Sequence, residues 1–106
     1  MEVQKAIELR KSVRAYSAKP VPDEVVARIL EAGRTSPSAT NYQPWHFVVV
    51  TDADKRKVLA EGVYAGCIVE SPLVIVGLAD RQKSPKWHLV DTTIALQTMV
   101  LAATAE

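Results

Sequence analysis

Apolar positions in the chain follow two different spacings. Val3, Ala6 and Ile7, with Arg10 completing the i, i+3, i+4, i+7 series, lie on one helix face and predict a first helix from about Glu2 to Lys11. Val13 to Lys19 has no helical period and leads into Pro20-Val21-Pro22, whose rings force extended backbone. A second helix starts near Pro22, with Asp23 and Glu24 in the first turn, where the helix dipole favours acids. Val25, Val26, Ile29, Leu30 and Gly33 form its buried stripe. Ser36 to Pro44 is a run of turn residues too polar for a core. It ends in Trp45-His46-Phe47-Val48-Val49-Val50, a strand by its length and β-branched content.

Asp52 caps a short helix reaching about Glu61, and Gly62 to Ser71 is irregular. Pro72 opens Leu73 to Ala79, whose unbroken apolar run fits a central strand covered on both faces. Ser84-Pro85 reads as the N-cap and first position of a long helix that is apolar nearly all round from Ile94 to Ala105. The order helix, helix, strand, helix, strand, helix makes the fold class α/β (α+β), without repeats or linkers. Two strands make a poor sheet and give this helix too little cover. The helix also reaches Glu106 without a Gly, Asn or Pro stop signal. The expectation is that another chain completes the fold or that this is the front part of a longer protein.

Length and charge narrow the partners. With 106 residues the chain is a single domain, 1–106, and 48% hydrophobic with 24% charged residues is ordinary for a globular protein. A net charge of +1 supplies no global field for nucleic acid, so any anion site is local. Thr92 to Ala105 is free of formal charge but shorter than the roughly 20 residues of a bilayer span, so no membrane partner is expected. Cys67 is the only cysteine, which excludes an internal disulfide and suits a reducing cytoplasm. It reads as a buried thiol, and Trp87 as a packing residue. His46 and His88 lack metal-ligand spacing, so no metal is expected. GxGxxG and P-loop patterns are absent.

Two segments carry candidate chemistry. In Arg10-Lys11-Ser12-Val13-Arg14, guanidinium groups and a hydroxyl lie within five residues and match the oxygens of a phosphate. Considered alone, the segment reads more simply as Arg10 and Lys11 capping a helix C-terminus and Arg14 as a solvated charge. In Ser36-Pro37-Ser38-Ala39-Thr40-Asn41-Tyr42-Gln43-Pro44-Trp45, hydroxyls and amides stand between stiffening prolines. Such a loop suits the edge of a flat heteroaromatic ligand, or simply connects a helix to a strand with Trp45 in the core. Asp91 is open between an exposed helix position and a packing partner.

Taken together, the segments resemble a known family. Ala6 through Tyr16 is similar to the opening motif of the nitroreductase family of flavoproteins, and Pro20 through Glu24 with Ala32 through Arg34 to the adjoining part. Pro37 through Phe47 resembles the family's second motif, Ser71 through Val76 its next strand, and Asp91 through Ala103 its long central helix. The resemblance implies a three-layer fold, a mixed sheet between helices, with flavin mononucleotide (FMN) bound at a homodimer interface. By match, Arg10, Lys11 and Ser12 serve the phosphate and ribityl end, and Arg14 faces the electron-rich edge of the ring. Ser38, Asn41 and Gln43 come from the other subunit and lie along the ring, with Pro37 shaping their turn. Lys11 departs from the commoner arginine, keeping the charge without the bidentate geometry.

The family continues past the central helix with a Gly-Leu-Gly-type turn, further strands and a late basic residue, so the resemblance implies that this chain is truncated. The implied function is an FMN-dependent oxidoreductase passing hydride from NAD(P)H through flavin to a nitroaromatic, quinone or similar small acceptor, without a catalytic side chain. The alternative is a flavin-binding module without turnover, or a fragment that only associates. A small helical interaction protein is a third reading.

Overall fold

The computed structural model describes residues 1–62 and 64–106. Helix α1 spans Val3–Leu9, α2 Asp23–Arg34 and α3 Ala53–Leu59, strands β1 and β2 span Trp45–Val50 and Val74–Ala79, and α4 spans His88–Ala105. Short 3-10 turns lie at Ala39–Asn41 and Gly66–Glu70. The irregular stretch expected from Gly62 to Ser71 includes Val63, which lies outside the described residues.

The strands pair antiparallel, with Phe47 opposite Gly77 and Val49 opposite Ile75. Residues directly opposite share a face, so Trp45, Phe47, Val49, Ile75 and Gly77 form one side of the sheet. Helix α4 lies against it. A Cβ on Gly77 would come within 2.9 Å of the end of the Leu96 side chain, which would have to shift, so glycine makes room for the helix here. Gly33 serves the same end in α2, where a Cβ would lie 2.6 Å from the Met99 sulfur and 3.3 Å from the Phe47 ring. The α2–α4–β1 junction is therefore built around a missing side chain. Trp45 stacks on Phe47 with ring centroids 6.4 Å apart and completes this face.

Several boundaries and burials differ from expectation. Helix α1 ends at Leu9, because the backbone of Arg10 turns extended at ψ 131°. Of its predicted stripe only Ala6 is buried, whereas Val3 and Ile7 are exposed. Helix α4 begins at His88 rather than at Ser84-Pro85. The Asp80 carboxylate accepts the amides of Gln82 and Lys83 at 3.0 Å in a separate turn just upstream, and a single turn in which the Ser84 carbonyl accepts the His88 amide at 3.0 Å leads into the helix. Strand β2 pairs on one side only, and Val48 and Leu78 on the outer face of the sheet remain exposed. Cys67 is half-buried. Trp87 is exposed, with the Lys86 ammonium 5.3 Å from its ring centre. Among the described residues no helix is long and apolar enough to cross a membrane.

Candidate functional site

The segment after α1 is extended and exposed from Arg10 to Pro20. Its hydrogen bonds are local. The Tyr16 hydroxyl donates to the Val13 carbonyl at 2.8 Å, and the Lys19 amide to the Ser17 hydroxyl at 3.4 Å. Arg10, Lys11 and Arg14 enter no ion pair among the described residues, and the ion pairs Arg28–Glu106 and Glu31–Arg34 lie elsewhere. Nor do the side chains of Arg10 and Lys11 bond the last carbonyls of α1; the cap contact is the backbone amide of Arg10 on the Ala6 carbonyl. Three cations and the Ser12 hydroxyl thus stand in solvent with their donors uncommitted.

The second segment is built in the opposite way. Its ends are buried, Ser36 at the close of α2 and Pro44 at the start of β1, while Pro37, Thr40, Asn41 and Gln43 are exposed. The Ser36 hydroxyl donates to the Ala32 carbonyl at 3.2 Å, and the Pro44 carbonyl accepts the Asp80 amide at 2.7 Å. Between these ends the backbone turns left-handed three times, at Thr40 (φ 53°), Asn41 (φ 54°) and Gln43 (φ 52°). None of these is glycine, so the conformation is held by surrounding bonds rather than by local preference. The Ser38 hydroxyl accepts the Gln43 amide at 2.9 Å, and the Gln43 side-chain amide donates to the Asn41 carbonyl oxygen at 3.0 Å. Both residues are exposed, and the amide hydrogens of Asn41 and the side-chain carbonyl of Gln43 have no partner among the described residues.

A residue left open by the sequence completes this loop. Asp91, 4% exposed, accepts the backbone amide of Ala39 at 3.0 Å. That amide begins the 3-10 turn and has no partner within it. The signal was present in the helix pattern: Asp91, Ala95 and Met99 repeat every fourth residue as the buried stripe of α4, and a carboxylate on such a stripe needs a bonded partner. No hydrogen bond or ion pair among the described residues joins the cationic segment to the loop.

The chain is similar to known proteins over most of its length. The sequence model of the Nitroreductase family matches residues 7–73, which include every candidate from Arg10 to Gln43. The chain belongs to the nitroreductase family. A protein of Methanothermobacter thermautotrophicus provisionally named NADH dehydrogenase/NAD(P)H nitroreductase is 35% identical over 106 residues, covering 97% of this chain and 56% of its own length. The crystal structure of a similarly named protein from Parabacteroides distasonis superposes with a TM-score of 0.94 at 35% identity, over 97% of this chain and 62% of that one. A nitroreductase with bound FMN from Bacteroides fragilis matches with a TM-score of 0.80 at 29% identity, over 99% and 65% of the two chains. The chain therefore has the nitroreductase fold and spans a little over half to two thirds of the length of these relatives. Asp91 lies beyond the matched stretch.

Proposed function

We propose that this nitroreductase-family chain contributes the FMN site of an NAD(P)H-dependent oxidoreductase acting on a nitroaromatic, quinone or similar small acceptor. The observation that carries the proposal is the uncommitted donor set of Arg10, Lys11, Ser12 and Arg14. Three cations without an acid partner fit a phosphate dianion, and the guanidinium groups offer paired donors for its oxygens. The loop from Pro37 to Gln43 fits a different part of the same ligand. Its unpartnered donor and acceptor suit the edge of a heteroaromatic ring, and its rigid backbone requires little ordering on binding.

When bound, FMN would supply the redox chemistry between NAD(P)H and the acceptor. The chain's own residues hold and tune it. Arg10 and Lys11 would neutralise the phosphate end, with the Ser12 hydroxyl as a neutral donor, and Arg14 would place a positive charge at the ring edge, where negative charge develops on reduction. Ser38, Asn41 and Gln43 border the ring, and no side chain is assigned a proton or hydride transfer.

The cationic segment and the loop share no bond within one chain, which favours a homodimer in which each copy supplies one of them. Leu89, Val90, Ile94 and Val100 leave an exposed apolar row on α4 that a second copy would cover. A reducing cytoplasm suits the single cysteine. The test is titration of the encoded polypeptide with FMN, followed by NADH and NADPH oxidation with a nitroaromatic or quinone. A yellow protein that turns over supports the proposal. A yellow protein without turnover reduces it to a flavin-binding module, and a colourless one removes it. Sedimentation of the yellow protein as a monomer would contradict the homodimer.

A further inference from the structure

We infer that Asp91 is a positioning residue, which reaches from the buried face of α4 to hold the Ala39 amide and thereby sets the shape of the loop presenting Asn41 and Gln43. The inference rests on the flavin reading for what the loop contacts, but not for the anchor itself.

A carboxylate is a poor choice for packing. At 4% exposure Asp91 has given up most of its hydration, and its neighbours on the stripe are Ala95 and Met99. Burying such a group is unfavourable unless charge-assisted hydrogen bonds replace the water. The bond at 3.0 Å to the Ala39 amide is of that kind, and it spans fifty-two positions of sequence. It is the one side-chain bond among those described that ties the middle of the loop to a helix of the core. The other bonds within Ser38 to Gln43 are internal and define its shape but not its place.

The anchor matters because it sits immediately before the strained part of the loop. Thr40, Asn41 and Gln43 are all left-handed, a conformation that non-glycine residues leave readily when released. With Ala39 free, Thr40 and Asn41 would relax toward ordinary backbone and turn the Asn41 and Gln43 amides away from their present directions. A buried carboxylate on one element thus maintains strain on another. An apolar residue of similar size at this position would fill the same space and lose the anchor.

The experiment compares Asp91→Leu, Asp91→Asn and Met99→Ala with the parent in the encoded polypeptide. It reads residue-resolved amide exchange at positions 39–43 and FMN affinity by flavin fluorescence. Asp91→Leu should speed exchange of the Ala39 amide and weaken FMN about tenfold or more, the effect of one charge-assisted hydrogen bond. Asp91→Asn keeps an acceptor oxygen and should recover most of both. Met99→Ala loses core packing on the same stripe but leaves the anchor, so it should unfold earlier with loop exchange and FMN affinity within about twofold of the parent. If Asp91→Leu does not fold, Asp91→Asn against Met99→Ala decides: greater loop exchange in Met99→Ala than in Asp91→Asn overturns the inference. Parent-like exchange in Asp91→Leu also overturns it, as does faster exchange with FMN affinity unchanged. A parent protein without FMN affinity removes the flavin reading, and loop exchange in the variants still decides whether Asp91 is the anchor.

Discussion

The two candidate segments present polar groups by opposite means. From Arg10 to Tyr16 the chain is extended and exposed, and its one side-chain bond reaches three residues back. From Ser36 to Pro44 it is clamped at both buried ends, pinned through Asp91 and carried through three left-handed residues. The first segment has charge without bonded partners, and the second has bonded geometry without charge. This division suits their chemistry. A phosphate accepts donors from many angles, so exposed cations without other partners serve it. A ring edge needs donors and acceptors in fixed places, and the entropy of fixing them is met when the chain folds. If so, changes in the first segment should affect binding alone, and changes in the second should affect stability and binding together.

The largest effect is expected from the cations. Arg10→Ala and Arg14→Ala should each weaken FMN about tenfold or more, from the loss of roughly 1.5–3 kcal/mol of charge-assisted bonding. Denaturant unfolding of the unliganded variants should stay within about 0.5 kcal/mol of the parent, because neither side chain has a partner to lose. Unchanged FMN affinity in both variants would sink the assignment of this segment to FMN, and a large loss of stability would show that the segment is not free.

A smaller effect of opposite sign belongs to the loop. Thr40 is β-branched at φ 53°, so Thr40→Gly should raise stability by about 0.5–1 kcal/mol as backbone strain is released. Val13→Gly, in the extended segment, should give no gain. Denaturant midpoints compare the two directly. Equal responses would break the contrast between a strained loop and a relaxed one.

The smallest effect sharpens the role of burial. Asp52 accepts the amides of Asp54 and Lys55 at 2.8 and 3.1 Å, much as Asp91 holds Ala39, but it stands exposed at the start of α3. The Lys55 amide, then that of Asp54, holds the Asp52 carboxyl below its ordinary value, and the Lys55 and Arg56 charges add to this. The folded state therefore prefers the ionised form. This contribution is complete above the ordinary aspartate range, about pH 4, and fades as pH falls through the lowered folded value. Asp52→Asn should flatten that acid limb in thermal unfolding at a series of pH values, keeping the cap but losing the charge contribution near neutrality. An acid limb of unchanged slope would assign the sensitivity to other carboxylates, such as Asp80, Glu31 and Glu106, which are also held low.

Much of the molecule was legible in its residues. Strand β1 falls on its apolar run, α2 starts just after Pro22, and Asp52 caps α3 as read from the pattern. These features are local: a proline restricts its own neighbours, a cap bonds amides two or three residues on, and alternation is set by the pleat. The family motifs were legible for a similar reason, since each is a contiguous run. The site was less so. Residue type could nominate Asn41 and Gln43, but not that both sit at positive φ with their side chains bonded to each other.

What the sequence determined by itself is therefore the order of elements, the family and the two polar segments. The tertiary structure decided which faces are covered and what holds the loop. Helix α1 repeats apolar residues correctly yet buries only Ala6, because burial depends on what lies opposite. Ser84-Pro85 carries a start signal, but it opens only a turn closed by the His88 amide on the Ser84 carbonyl, and α4 begins at His88. Asp91 looked the same as a solvent residue or as a packing partner until the fold set it against Ala39. Fifty-two positions separate them, and no local preference reaches so far. Only the docking of α4 against the sheet and α2, allowed by Gly77 and Gly33, sets the place of the helix that carries this carboxylate.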